Sequence, residues 1–510
     1  LKKQRHTFSA TEYYAKPLPH IKKSRQMKFK LIILSIFLPL VLSAQTELTQ
    51  KQIQEDFTIF KNVLISSHPS LYEYTTKSEW DSIFVDFQKK TPQLKNTPDL
   101  FKSINSLANN VKDGHIRIIP PNMETMPQML PLLIKIIDKK FYTDTEDFGI
   151  PVGSEITSID GIKNEELLNR FLKYSQSDGY NTTKKYRQIE REFGILHFYE
   201  FGAKSSYNVT YITPNNQTKT IEILSQSFQS IGMRFPNRNS YFSIYHNKTH
   251  KLEHLKNTLG QKMPYVFFID SINTAVLTVN SFGENPQEFK SKLIDLFKEI
   301  KKKKAEALII DIRQNIGGFR INAINLFSFI TDQSFKQRVS ENVITSTLLE
   351  QKYIKNTMSD YNEFFKTYFE ESVKKEDRWI LTTDRAEEMM KPYKNPYKGK
   401  VYVLIGGKTF SAGSAFALNV KNDSKMSLIG EETGGGYHLH TGQFPVLYEL
   451  PNSKIMFNLS LVKINHYVKD SSVKKGSGIL PDTEINLTQQ DLINGTDSQL
   501  DYIIKRLKKE

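Results

Sequence analysis

The 510-residue chain has no cysteine. Disulfides, thiolate metal sites, iron–sulfur clusters and a cysteine nucleophile are therefore excluded together. The compartment stays open, because a chain this long can bury enough core to survive outside the cell without covalent staples. Its 20 prolines and 24 glycines follow no period, which excludes collagen-like and low-complexity sequence. No internal repeat of solenoid or propeller length is visible. What is present suits a globular protein. Hydrophobic residues make up 38% and aromatics 12%, enough for a packed core in roughly two to four domains.

The net charge of +15 is unevenly placed. Residues 1–44 hold nine Lys/Arg and one acid, Glu12, which leaves only +7 on the remainder. Basic runs such as Lys301–Lys304 then read as a solvated helix end, and no nucleic-acid partner is expected. From Met27 the chain reads MKFKLIILSIFLPLVLSAQT, with Lys28 and Lys30 ahead of the apolar stretch Leu31–Leu42. That stretch is too short to cross a bilayer, and Ser43-Ala44 offers small residues for cleavage before Gln45. The pattern predicts a signal peptide over 27–44, with 1–26 as an upstream extension. No stable membrane span is expected after cleavage, and lipoprotein anchoring is excluded for want of a cysteine.

Residues 45–114 read as a helical domain from apolar steps of three and four at Ile53, Phe57, Phe60 and Leu64. A β-rich region over 115–262 follows, with strands in YNVTYIT and KTIEIL set among polar loops. Over 263–490 buried strands alternate with helices, as in NTAVLTVNSF, FKSKLIDLFKEIKK, ALIIDI and VYVLIG. That alternation predicts an α/β core, and 491–510 reads as a C-terminal helix.

Three segments could carry chemistry. In VYVLIGGKTFSAGSAFALNV, the strand Val401–Ile405 runs through glycines into a helix that begins near Ser411. A serine there meets unpaired N–H groups and the positive end of the helix dipole, where a nucleophile gains oxyanion donors. Taken alone, the segment favours an ordinary N-cap over a nucleophile. The GKT within it is not a phosphate loop, because Tyr402 stands where that motif needs glycine. In ALIIDIRQNIGG, Gly317 and Gly318 follow a strand that ends at Asp311 and Arg313, and offer backbone donors at close approach. In NNVKDGHIRIIP, a DG turn sets His115 at a strand edge, where it gains meaning only if Ser411 needs a base. His246, His250 and His254 would share a helical face, and His438 and His440 a strand face. Neither set has an HExxH or a completing carboxylate, so no metal is assigned.

Taken in order, DGH, VGSEITSIDG, IIDIRQNIGG, TFSAGSAFA, LIGEETGG and GSGILPD resemble the C-terminal-processing, or tail-specific, serine peptidases, including their tricorn-core-like branch. The resemblance spans about 47–490. It implies a crotonase/ClpP-like α/β peptidase core, an N-terminal helical region and a PDZ-like β-rich region holding VGSEITSIDG. It implies Ser411 as nucleophile, with the N–H of Ala412 and that of Gly317 or Gly318 as the oxyanion hole. The lysine of Ser–Lys members is replaced by Gly436, and the glutamate often found three residues after the nucleophile is Ser414. The histidine base of the tricorn-like branch matches His115, with Gly114 where that branch has serine. No acid is assigned to orient it; Glu431 and Glu432 are only near in sequence, and His438 and His440 are the next bases to consider. The expectation is an exported, periplasmic or extracellular serine peptidase acting on peptides or unfolded chain ends without a cofactor. A homo-oligomer is compatible with it. The alternative is a non-catalytic relative that binds peptides or apolar ligands.

Overall fold

The computed structural model describes residues 47–123, 125–244, 258, 260–345, 347–356, 372–381 and 389–509. The leader at 27–44 and His246, His250 and His254 lie outside them.

Helices α1 (Gln50–Ser67), α2 (Lys77–Lys90) and α3 (Thr97–Ala108) come first. Thr49 with Gln52 and Thr76 with Glu79 form reciprocal capping boxes, and Asn96 caps α3 ahead of Pro98. Their apolar stripes bury Phe57, Phe60, Trp80, Leu100 and Ile104. The indole N–H of Trp80 donates to the Leu71 carbonyl at 2.8 Å, so its one polar atom is satisfied. Strand β1 (Arg117–Ile119) then pairs antiparallel with residues 456–458, far along the chain.

A second unit holds β2 (Ile134–Ile137), β3 (Lys140–Thr143), β4 (Glu155–Ile159) and β5 (Ile162–Lys163), then α4 (Asn164–Phe171) and α5 (Thr183–Phe201). Strands β6 (Ser206–Ile212) and β7 (Thr218–Leu224) follow, with short helices α6 (Phe228–Met233) and α7 (Asn239–Ile244). The antiparallel order is β2-β3-β4-β6-β7, with β5 on β4. Asp160 and Gly161, at φ +51° and +80°, form the tight β4–β5 turn that IDG announces. YNVTYIT and KTIEIL do form β6 and β7. The stretch before them is not strand and loop, as read from sequence, but the 19-residue helix α5. Its charged run from Lys184 to Glu192 masks the helical spacing of Ile189, Phe193 and Leu196, all buried.

The third unit begins with β8 (Tyr265–Ile269), β9 (Thr274–Thr278), α8 (Pro286–Lys302), β10 (Ala307–Asp311) and α9 (Arg320–Ser328). After β11 (Arg338–Val343), β12 (Ile354–Asn356), β13 (Val373–Lys375) and β14 (Arg378–Leu381) come β15 (Lys400–Ile405), α10 (Ala412–Lys421) and β16 (Met426–Gly430). The long hairpin β17 (Leu439–Glu449) and β18 (Met456–His466) precedes β19 (Thr483–Glu484), α11 (Gln489–Asn494) and α12 (Ser498–Leu507). One sheet runs β19-β16-β15-β10-β9-β8, parallel except for β8. Alternation along its strands feeds two layers. Leu308, Ile310, Val401 and Val403 pack with α8, α9 and α10, whereas Ile309, Tyr402 and Leu404 pack with Leu500 and Ile503 of α12. A second, antiparallel sheet runs β12-β17-β18-β11-β14-β13 and takes β1 onto β18. This is the α/β core, helical N-terminal region and PDZ-like sheet that the motifs imply. No helix of the described residues is long and apolar enough to cross a membrane.

Because α12 closes one face of the parallel sheet, Leu500→Ala and Ile503→Ala should each destabilise the fold by about 2–4 kcal/mol in urea denaturation. A loss below about 0.5 kcal/mol would mark α12 as a loose tail.

Candidate active site

Ser411 stands where β15 turns into α10, at φ +54° and ψ −123°. A non-glycine residue is strained there and must be held by its surroundings. The holding bonds are visible. The Phe410 N–H donates to the Asn315 carbonyl at 3.0 Å, and that of Gly413 to the Phe410 carbonyl at 2.9 Å. Thr409 Oγ1 donates to the Ile312 carbonyl at 2.9 Å and Ser414 Oγ to the Thr409 carbonyl at 2.8 Å. Ser414, in the glutamate's place, is thus a brace for the turn. The Ser411 side chain makes no capping bond, so the N-cap reading of this serine is set aside.

Gly317, at φ +105°, lies against this turn: a Cβ there would stand 2.7 Å from Ser411 Cβ and 3.1 Å from the Ala412 nitrogen. Its N–H is already donated to Asn315 Oδ1 at 2.9 Å. Gly318 packs on the Phe282 backbone so closely that a Cβ would collide with it. Neighbouring N–H groups are donated, that of Phe282 to the Gly317 carbonyl and that of Phe319 to the Phe282 carbonyl. Among the described residues no hydrogen bond occupies the N–H of Gly318. Asp311 and Arg313 form an ion pair at 2.7 Å, and Arg313 also reaches Asp497 at 2.8 Å.

The DGH loop reaches this place because β1 is zipped onto β18. The His115 ring lies 4.5 Å, centroid to centroid, from that of Phe410, the residue before Ser411. It also stacks on His440 at 5.5 Å. Among the described residues no hydrogen bond joins His115 to Ser411; the histidine is packed on the residue before the serine. His115 Nδ1 is buried without a partner, 3.8 Å from Asp113 Oδ1. Burial is the main reason that the imidazole pKa falls to about 4, with Asp113 opposing and the charge of Lys184 assisting.

Residues 273–485 match the model of peptidase family S41. That stretch holds most of the parallel sheet and Ser411. The chain is a serine peptidase. No curated protein sequence matches it. The structure is similar to that of mature CPAF complexed with lactacystin, at 16% identity over 90% of this chain and 98% of that one, with a TM-score of 0.60. It is similar again to a CPAF serine-to-alanine mutant, at 15% identity over 90% and 97% and a TM-score of 0.64. At such identities the likeness is one of fold, a ClpP-like core with a PDZ-like region.

Several residues of this S41 site had no label in the sequence. Asp113, two residues before His115, is the carboxylate at the histidine, not Glu431 or Glu432. It accepts the His115 N–H and His68 Nε2, each at 2.8 Å, and the hydroxyl of Thr441. Burial alone would raise its pKa, but the His68 bond and charge hold it well below the usual carboxylate range. DG was legible only as a turn. Asp178 accepts the N–H of Gly114 at 2.7 Å and of Gly436 at 3.0 Å, and burial, then the charge of Asp113, raises its pKa to about 7. At Gly436 a Cβ would stand 2.3 Å from the Leu439 carbonyl oxygen, so the dyad lysine has no room. Lys184 of α5 instead reaches in, donating to the carbonyls of Gly114 and Gln176 with its ammonium 4.6 Å from the Phe410 centroid. Burial lowers its pKa to about 8.

Glu431 and Glu432 accept other N–H groups, of Gly407 and Gly478. His438 Nε2 is bonded to the Val473 carbonyl at 2.7 Å and His440 Nδ1 to His466 at 2.6 Å. These two histidines therefore do not converge on a metal. Asp113, His115 and Asp178 present ligand atoms within 4.8 Å of one another. Their carboxylate oxygens are already engaged by backbone and side-chain donors, which leaves little for a cation.

The strain at Ser411 yields a test. Ser411→Gly should exceed Ser411→Ala in stability by about 1 kcal/mol in urea denaturation, because only glycine relaxes at this φ. Equal stabilities would mean that the turn is not strained.

Proposed function

We propose that Ser411 is the nucleophile and His115 its general base, in an exported enzyme that hydrolyses peptides or unfolded chain ends. The observation that carries the reading is the strained, uncapped Ser411 with a half-buried His115 packed on the preceding Phe410. A base must be neutral to take a proton, and burial keeps this imidazole neutral far below its ordinary pKa. Nδ1 faces Asp113, which leaves Nε2 for the serine hydroxyl. Asp113 acts as a positioning residue, gripping the His115 backbone and biasing the ring. The missing hydrogen bond between Ser411 and His115 is compatible with this pairing, since apo catalytic bonds are often loose.

Ser411 Oγ attacks the scissile carbonyl as His115 takes its proton. The oxyanion is held by the N–H of Ala412 at the start of α10 and that of Gly318, since Asn315 already holds the Gly317 donor. His115 then gives its proton to the leaving amine, and water activated by the same ring hydrolyses the acyl-enzyme. The PDZ-like sheet would take an extended peptide by strand addition, which suits unfolded substrates. Export rests on the leader pattern alone.

Cleavage of a fluorophore-quenched, unstructured polypeptide tests this, using folded variants. Ser411→Ala and His115→Ala should be silent, and Asp113→Asn slower by roughly two to four powers of ten. In the active protein, kcat/KM should fall on the acid side with a pKa near 4 rather than 6.5, the sign set by protonation of His115. Lys184→Met should move that limb upward, though still below 6.5, because burial is the larger cause. Full activity in His115→Ala would overturn the base assignment.

A further inference from the structure

Outside the Ser411 site, two small adjoining cavities lie between the PDZ-like unit and the core. Both are lined by Lys135, Arg187, Ser240, Gln314 and Lys408. Arg191 and Arg238 add two more cations to the smaller, where Glu190 is the one lining carboxylate. Glu431 and Asp497 also line the larger, and most of these cations already have a carboxylate partner. Lys135 and Arg187 pair with Glu190 at 3.1 and 2.6 Å, Arg187 also with Glu431 at 3.5 Å, Arg191 with Glu192 at 2.5 Å and Arg238 with Asp144 at 3.0 Å. Lys408 differs. Its ammonium donates to an amide oxygen, Gln314 Oε1 at 2.9 Å, and among the described residues it pairs with no carboxylate. Arg187 Nε is buried without an acceptor.

We propose that this cavity binds a small oxyanion, with inorganic phosphate as its simplest occupant, through Lys408, Arg187 and Arg191. An unneutralised ammonium in a desolvated wall is costly, and so is a guanidinium N–H without an acceptor. One tetrahedral dianion relieves both, offering several acceptor oxygens to donors that converge from different elements. A planar carboxylate has only two oxygens for the same set. The shift of Lys408 agrees: burial first, then the nearby charge of Arg191, lowers its pKa to about 8. The site also has a bearing on catalysis. Gln314 and Lys408 each stand three residues before a member of the catalytic turn pair, Gly317 and Ser411, so an occupant would brace both loops at once.

Isothermal titration of the folded protein with sodium phosphate at pH 7, against chloride at matched ionic strength, is the test. Saturable one-to-one binding with a millimolar or tighter Kd is expected. Lys408→Met should weaken it at least tenfold. Arg191→Gln, at an exposed side chain that the fold tolerates, should weaken it several-fold. Three results would overturn the proposal: no saturable phosphate binding, a folded Lys408→Met that binds as tightly as the parent, or tighter binding of acetate or a free peptide carboxylate than of phosphate.

Discussion

Three residue pairs between β1 and β18, Arg117 with Asn458, Ile118 with Phe457 and Ile119 with Met456, tie the loop of the proposed base His115 to the core that holds Ser411. They carry the chain out of the N-terminal helices and lay it on a strand more than three hundred residues later. The loop just ahead of β1 contains Asp113, Gly114 and His115. Without that pairing the histidine would belong to a different module from the serine. Asp178 and Lys184 reinforce it from the PDZ-like unit, by gripping the N–H and the carbonyl of Gly114. A site assembled from three units depends on their docking as much as on any side chain.

The electrostatics of that docking explain a departure from the Ser–Lys pattern. The family's lysine position is glycine here because the Leu439 carbonyl fills the space. A lysine from α5 approaches instead, but its ammonium is committed to two carbonyls. Its charge lowers the pKa of the histidine. Asp113 pulls the other way, and burial decides the balance in favour of a neutral ring.

Much of this was legible in the sequence, for local reasons. Ser411 and the pair Gly317–Gly318 lie at strand-to-helix turns whose buried strands announce themselves, and IDG announces the β4–β5 turn. The unbroken apolar run Leu308, Ile309 and Ile310 foretells a sheet covered on both faces. What was not legible is long-range. The grip of His68 and Thr441 on Asp113 spans 45 and 328 positions, and no periodicity encodes it. Helix α5 was hidden because its charged residues are held by partners elsewhere in the fold, so a run that looks solvated is in fact docked. Nothing in the sequence marks Asn315 as the residue that occupies the Gly317 donor.

The most direct test of the account is covalent labelling with a fluorophosphonate, followed by peptide mass spectrometry. The chain has no cysteine to compete for the reagent. A single adduct on Ser411, formed far more slowly in His115→Ala, is the predicted result. An adduct on another residue, or equal labelling rates with and without the histidine, would contradict it.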